Sequence, residues 1–405
     1  MRKTVRILLS SVVFSTLLCC LHKPVYAQQS AEAGLYPLWS GGKIPTRAEM
    51  PVIKGVKFHM VKRHQPKIDH FNWAHGAAIV RYKNHWVASF GLNRGGENSA
   101  GEEADAITSK NGKKWSGLVP IEAPKKPNAV SHGILFNHGG ELWAFQGAFT
   151  GSRKDVHMKA YLWNEAKQQW EDKGKVAGDG FWPLQEPQQM DNGEWIIGGA
   201  SLGVTNPPVV GERNPPAVAI CKDGDFTHWE VVRIPTDAKV WGESGVIIDG
   251  ANLLLVSRSD GKTHDLGAYK QPPAWVSVSK DYGRSWTELK PSNLPMASSK
   301  PYVGILSNGQ RYLIGSISAD GGNKRHPLSI AVSKPGENTF SKVFAIRKSL
   351  QKGDVESVPN AGLSYPYAVE YKKKLWVVYS NNGGRGGNRN SIELAVVPIK
   401  RLKIK

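Results

Sequence analysis

The stretch "VSVSKDYGRSW", residues 276–286, decides how this chain folds. Its alternating valines suit a half-buried strand. The strand gives way to Ser279, Asp281, Gly283 and Ser285 at every second position and ends on Trp286. These residue types at these offsets make a local turn. Asp and Ser side chains close it on backbone N–H groups, Gly supplies a positive φ, and the indole pins it between strands. Degenerate versions stand at "SKNGKKW" (109–115), "CKDGDFTHW" (221–229) and "SKPGENTF" (333–340). Together with Trp170, the aromatics at these points are Trp115, Trp229, Trp286 and Phe340, spaced by 55, 59, 57 and 54 residues in chain order. A period of that length marks a stacked supersecondary unit, and a four-stranded blade is the unit that fits.

The surrounding sequence carries the rest of each blade. Long helical periodicity is nearly absent. Short apolar runs pair across tight polar turns, as in "GAAIVRYKNHWVASFG", "GILFNHGGELWAFQGAF", "SGVIIDGANLLLVSRSD" and "PYAVEYKKKLWVVYSN". Five aromatic anchors and a further strand pair at 365–380 give six blades, which fits the spacing better than seven. The sixth continues through "NSIELAVVPI" and then runs out of chain. "GVKFHMVKRH" (55–64) precedes the first repeat and is expected to supply the missing outer strand, closing the ring and covering an open edge. The expectation is an all-β, six-bladed β-propeller in one domain over residues 45–405, after an N-terminal extension at 28–44.

The opening "MRKTVRILLSSVVFSTLLCCLHKPVYAQQS" has a basic start, an apolar run and a small residue, Ala27, at a cleavage position. It reads as a signal peptide over 1–27, giving a secreted or periplasmic protein. Residues 7–21 are short for a membrane span. A lipoprotein anchor at Cys19 or Cys20 is the weaker alternative, because the residues before them are not small. Cleavage leaves Cys221 alone, so packing rather than a disulfide holds the fold. The chain carries 53 Lys and Arg against 34 Asp and Glu, a net charge of +19. Loss of Arg2, Lys3, Arg6 and Lys23 with the leader leaves it strongly basic, which favours acidic partners such as polyanionic glycans. The lysines are scattered and no arginine-rich tract occurs, so nucleic acid is not expected. The histidines lack ligand spacing and no nucleotide-binding glycine motif is present, so neither metal nor cofactor is expected. The oligomeric state is left open.

Ser279-x-Asp281-x-Gly283-x-Ser285-Trp286 resembles the Asp-box of the sialidase (BNR) propellers. Three further segments resemble the active-site region of the same superfamily, in the same order and at similar spacing. "WGESGVIIDGANLLLVSRSD" (241–260) places Glu243 before a strand and Arg258 after the next. "GGNKRHPLSIAVS" (321–333) places Arg325 before a third strand, and "GLSYPYAVEYKKKLWVVYS" (362–380) places Tyr365 at the start of the last blade. The resemblance implies Tyr365 as nucleophile, Glu243 as its base, and Arg258 and Arg325 as a clamp on a substrate carboxylate. A phenol suits a sugar whose reacting carbon bears a carboxylate, because an anionic nucleophile would be repelled there. Guanidinium groups match a carboxylate in bidentate geometry.

The chain departs from the superfamily in blade one. "WAHGAAIV" carries His75 where an Arg-Ile-Pro motif would supply a first arginine. Among Glu97, Glu102, Glu103 and Asp105 in "GLNRGGENSAGEEADAITS", Glu102 or Glu103 is the expected acid/base. His132 precedes the first strand of blade two. "FWPLQEPQQM" (181–190) offers Trp182 as a sugar-stacking platform and Glu186 as another acid, and "NNGGRGGNRN" (381–390) offers Arg385 and Arg389. The function expected is an exo-acting glycoside hydrolase removing an acidic or capping sugar. The alternatives are a polysaccharide lyase on uronates, using His75 or His132 as base, and a non-catalytic glycan-binding propeller.

Overall fold

Among the described residues six antiparallel sheets follow one another along the chain, each of four strands except the third, to which a two-residue strand is added, and a separate two-stranded ribbon pairs His264–Asp265 with Lys270–Gln271. The structure, a computed structural model, describes residues 34–404 apart from 124, 204–213, 352–354, 356 and 383–389. The signal peptide and the Arg385–Arg389 loop expected from the sequence therefore lie outside the described residues. The first strands of the sheets are Trp73–Tyr82, Asn128–His138, Phe181–Pro183, Ser244–Asp249, Tyr302–Ile305 and Leu363–Tyr371. Neighbouring blades cover both faces of a sheet, so its strands are runs of small and apolar residues rather than a strict alternation. "WIIGGAS" (195–201) and "LSIAV" (328–332) are buried throughout.

The chain is the six-bladed propeller its repeats predict. Lys57–Lys62 pairs antiparallel with Ser391–Pro398, Lys57 opposite Val396, so the first strand in chain order completes the last blade. Trp86 of blade one stacks against Trp376 of blade six with ring centroids 4.2 Å apart, packing the seam that this closure creates. Residues Gly34–Lys405 form one compact unit. Tyr36, Trp39 and Val52 bridge to Ser292, Phe340 and Ala345, so the segment before the closing strand runs along the outer edges of blades four and five. The Asn293 side chain holds it, accepting from the N–H groups of Leu38 and Trp39 at 3.0 and 2.8 Å. This covers strand edges that would otherwise be open to pairing with another chain.

The Asp-box has the hydrogen bonds its residues predict. Ser279 Oγ donates to Asp281 Oδ1 (2.8 Å) and accepts from Gly283 N (2.9 Å). Asp281 accepts from Ser285 N at 2.9 Å, and Trp286 Nε1 donates to Gly283 O at 2.9 Å. The eroded copies keep part of this. Ser109 Oγ accepts from Gly112 N at 2.9 Å, whereas at Cys221 a thiol donates to Asp225 O at 3.2 Å.

At the pocket end of blades one, two and six the first strand is bulged, between His75 and Ala78, Val130 and Gly133, and Ser364 and Tyr367. A bulge turns a side chain that would lie between blades toward the axis. Gly76, with φ +66°, makes the first bulge possible, because a Cβ there would sit 2.1 Å from the His132 ring. In the last bulge Tyr365 itself has φ +55°. A bulky residue in the left-handed region is strained, and the more so directly before a proline.

Candidate active site

The bulges and the loops beside them surround a polar pocket of about 220 Å³, lined by His75, Glu97, His132, Arg153, Trp182, Trp241, Glu243, Arg258, Arg325 and Tyr365 with Asn98, Leu184 and Leu202. Every blade contributes. Glu243 stands just before the first strand of blade four, and Arg258 just after the second. The Arg258 backbone N–H donates to Glu243 O at 2.9 Å, which ties the two segments together. Arg325 approaches from blade five and donates through Nε to Ser298 O at 3.1 Å.

At the centre Tyr365 donates its hydroxyl hydrogen to Glu243 Oε1 in a short hydrogen bond. Arg258 Nη1 donates to Glu243 Oε2 at 2.6 Å and to the Tyr365 hydroxyl oxygen at 2.9 Å, while its Nε donates to Ser298 Oγ at 2.9 Å. The Arg325 guanidinium lies 5.9 Å from the Tyr365 ring centroid, and that of Arg258 5.3 Å from the Trp241 ring at the pocket mouth. The opposite wall is aromatic. His75 packs on Tyr365 with centroids 4.0 Å apart, and His132 lies 5.1 Å from Trp182. Each imidazole Nδ1 has a partner: Asn390 Nδ2 for His75 and Ser131 Oγ for His132, both at 3.1 Å.

Burial and charge move the groups of the site in opposite directions. Burial pushes the Tyr365 phenol well above its ordinary range, and the Glu243 charge adds to this. Burial also pushes Glu243 upward, but the Arg258 charge and the Tyr365 hydrogen bond outweigh it and hold the carboxyl below its ordinary value. The resting pair is a neutral phenol on a carboxylate. Burial raises Glu97, and the nearby Glu243 charge raises it further. Burial lowers His132 to about 4 and His75 well below its ordinary value, with neighbouring cations contributing to both. Both imidazoles are neutral at physiological pH.

Of the residues expected from sequence, Tyr365, Glu243, Arg258, Arg325, His75, His132 and Trp182 meet in this pocket. Three acids do not. Glu102 is fully buried behind the Glu97 loop, accepting from Asn98 N at 2.8 Å. Glu103 points the other way along its strand, to Arg94 at 3.2 Å. Glu186 accepts from the Tyr302 hydroxyl at 2.5 Å, in a buried cluster with Tyr367 that does not line the pocket. The carboxyl that enters the pocket from blade one is Glu97, carried on a glycine-rich loop whose path brings it there. Arg153 and Trp241 also line the pocket, and the sequence reading does not single them out. Trp241 stands two residues before Glu243, whereas nothing in "FTGSRKD" distinguishes Arg153 from a solvated loop charge. No group of His, Cys, Asp and Glu suited to a metal ion occurs among the described residues.

The profile of the BNR repeat-like domain matches residues 87–377. The chain belongs to this family. Solved structures agree with the BNR fold at low identity. A protein of unknown function from Dyadobacter fermentans is 16% identical with a TM-score of 0.61, the match covering 85% of this chain and 99% of the other. A Hadza microbial sialidase is 12% identical at TM-score 0.61, covering 85% and 68%. Trypanosoma rangeli sialidase, solved with sialic acid, is 14% identical at TM-score 0.57, covering 87% of this chain and 60% of that one. No curated protein matches in sequence. The chain is a BNR repeat-like propeller that shares its fold with these sialidases. Among its described residues no helix is long and apolar enough to cross a membrane.

Proposed function

We propose that this BNR protein is a retaining exo-glycoside hydrolase that releases a terminal acidic sugar from glycans. The observation that carries this reading is the Tyr365–Glu243–Arg258 hydrogen-bonded group inside a pocket that also holds Glu97 and Arg325. A neutral phenol beside a carboxylate held below its ordinary pKa is a nucleophile with its base in place. Glu97, raised by burial, supplies the proton that a leaving glycosidic oxygen needs. Arg325 and Arg258, with Arg153 from blade two, favour a carboxylate on the sugar.

In the reaction so assigned, the Tyr365 oxygen attacks the anomeric carbon as its proton passes to Glu243. The glycosidic C–O bond breaks and the leaving oxygen takes the proton of Glu97. A water, deprotonated by Glu97, then attacks the same carbon, and Tyr365 departs and recovers its proton from Glu243. Two inversions give retention. The lyase alternative asks His75 or His132 to abstract a carbon-bound proton. Burial leaves both imidazoles too weakly basic for that work at neutral pH. Incubation with sialylated and uronate-containing glycans, read by mass and ultraviolet absorbance, tests the reading. A saturated acidic monosaccharide is the expected product. An ultraviolet-absorbing unsaturated uronate, or no product at all, rejects it.

A further inference from the structure

Directly beneath the pocket lies a cation that this chemistry does not use. Lys300 precedes the first strand of blade five, and the residue is 3% exposed. Its Nζ donates to Pro366 O at 2.8 Å and to Leu184 O at 3.3 Å. Those carbonyls belong to blade six and to the segment after the first strand of blade three, so one ammonium ties three blades together at the pocket floor. The Tyr302 and Tyr367 rings flank it, with centroids 5.5 and 5.7 Å from Nζ. It makes no ion pair within 4 Å among the described residues. Burial lowers its pKa to about 8, partly offset by Glu243 and Glu186. A buried cation with no adjacent anion costs stability unless it holds something in place.

What it holds is the residue after Tyr365. The tyrosine occupies a left-handed conformation, before a proline, at the point where the blade-six ladder is interrupted. Such strain persists only where the surroundings over-determine it. The Tyr365 hydroxyl is fixed at one end by Glu243 and Arg258, but those contacts do not fix the backbone that carries the ring. A charge-assisted hydrogen bond to the Pro366 carbonyl does.

We propose that Lys300 is a positioning residue that clamps the Tyr365–Pro366 bulge and so keeps the phenol against Glu243. This rests on Tyr365 being the nucleophile, but the geometric part is testable without turnover. Lys300→Met removes both hydrogen bonds. Lys300→Gln keeps an N–H donor without the charge and carries the test if the first variant does not fold. Crystal structures and steady-state kinetics of each variant are compared with the parent protein. The expected result for Lys300→Met is that Tyr365 leaves positive φ, its hydroxyl moves off Glu243, and kcat falls about 100-fold with KM within about threefold. Lys300→Gln is expected to keep the bulge in part and to lose about tenfold in kcat. An unchanged Tyr365 backbone in a folded variant overturns the proposal, as does a loss confined to KM. If the parent turns over no glycan, the hydrolase reading fails, and the Tyr365 backbone in the variant crystals alone decides the role of Lys300.

Discussion

The two halves of the pocket are built differently. Blades four to six contribute Glu243, Arg258 and Tyr365, which bond to one another, and Arg325, which bonds to Ser298 O and lies over the Tyr365 ring. Blades one to three contribute two neutral imidazoles and Trp182, together with Glu97 and Arg153 on loops. The first half is a preorganised electrostatic device, in which each group's state depends on the others. The second is a wall with an acid and a cation suspended over it. In the proposed reaction, the half that would activate the nucleophile is written into strands and strand ends, while the half that would meet the leaving group and the rest of the sugar is written largely into loops. The largest expected effect tests the first half. Tyr365→Phe removes the oxygen proposed as nucleophile and leaves the ring in place. Single-turnover and steady-state assays are expected to show kcat reduced by at least about 10³-fold with little change in KM. A loss of less than about tenfold moves the chemistry to the other wall.

This division is also the division between what could be read in the sequence and what could not. An apolar strand, in a chain with a regular blade period, has a knowable position and direction. The closing strand at Lys57–Lys62 is of this kind, whereas Glu243, Arg258 and Tyr365 are legible only through their resemblance, in order and spacing, to sialidase segments. The acids of "GLNRGGENSAGEEADAITS" are not. Strand alternation sends Glu103 out to Arg94, and Glu102 turns inward to hold Asn98 N. Which carboxyl then reaches the pocket depends on the loop path through Gly95 and Gly96, and composition does not encode that path. Arg153 follows the same rule, on a turn where its own φ is +57°. His75 is readable as a departure only through the resemblance, which implies an arginine at that place.

The second prediction sharpens the contrast at Glu97. The proposed hydrolysis needs Glu243 ionised and Glu97 protonated. Glu243 is held below the ordinary carboxylate value and Glu97 above it, so kcat/KM is expected to rise at acid pH on the low side of that value and to fall on the high side. Glu97→Gln is expected to remove the falling limb and to cost about 10²-fold on natural glycans. Aryl glycosides with good leaving groups, which need no proton, should lose much less. Equal losses on both substrate types would make Glu97 a binding residue only.

The third concerns Glu102, which stands beside the loop that carries Glu97 but is buried away from the pocket. Burial raises its pKa from 4.5 to about 8, and burial likewise raises Asp105 from 3.8 to about 7. Between the unfolded and folded values the native state binds protons that the unfolded chain has lost, so stability falls as pH rises through this window. Denaturant unfolding at pH 5 and pH 8 is expected to show the protein weaker at pH 8. Glu102→Gln keeps an acceptor for Asn98 N without the ionisation, and is expected to recover about 1–3 kcal/mol at pH 8 and little at pH 5. A variant with the parent's pH slope would mean that Glu102 is ionised in the native state.

The smallest effect returns to the turn from which the fold was read. Ser279→Ala deletes the hydroxyl that accepts from the buried Gly283 N–H, while Asp281 keeps its bond to Ser285 N. One buried donor is left unpaired, which costs about 1–3 kcal/mol in denaturant unfolding. The blade's indole remains anchored through Trp286 Nε1 to Gly283 O at 2.9 Å, so the loss should stop there. The Asp-box residues do not line the pocket, and kcat/KM measured well below the unfolding midpoint is expected to stay at the parent value. A fall in kcat/KM without a matching loss of stability would show that the turns help to aim the pocket, and would undo the separation between scaffold repeats and site on which the comparison of the two halves depends.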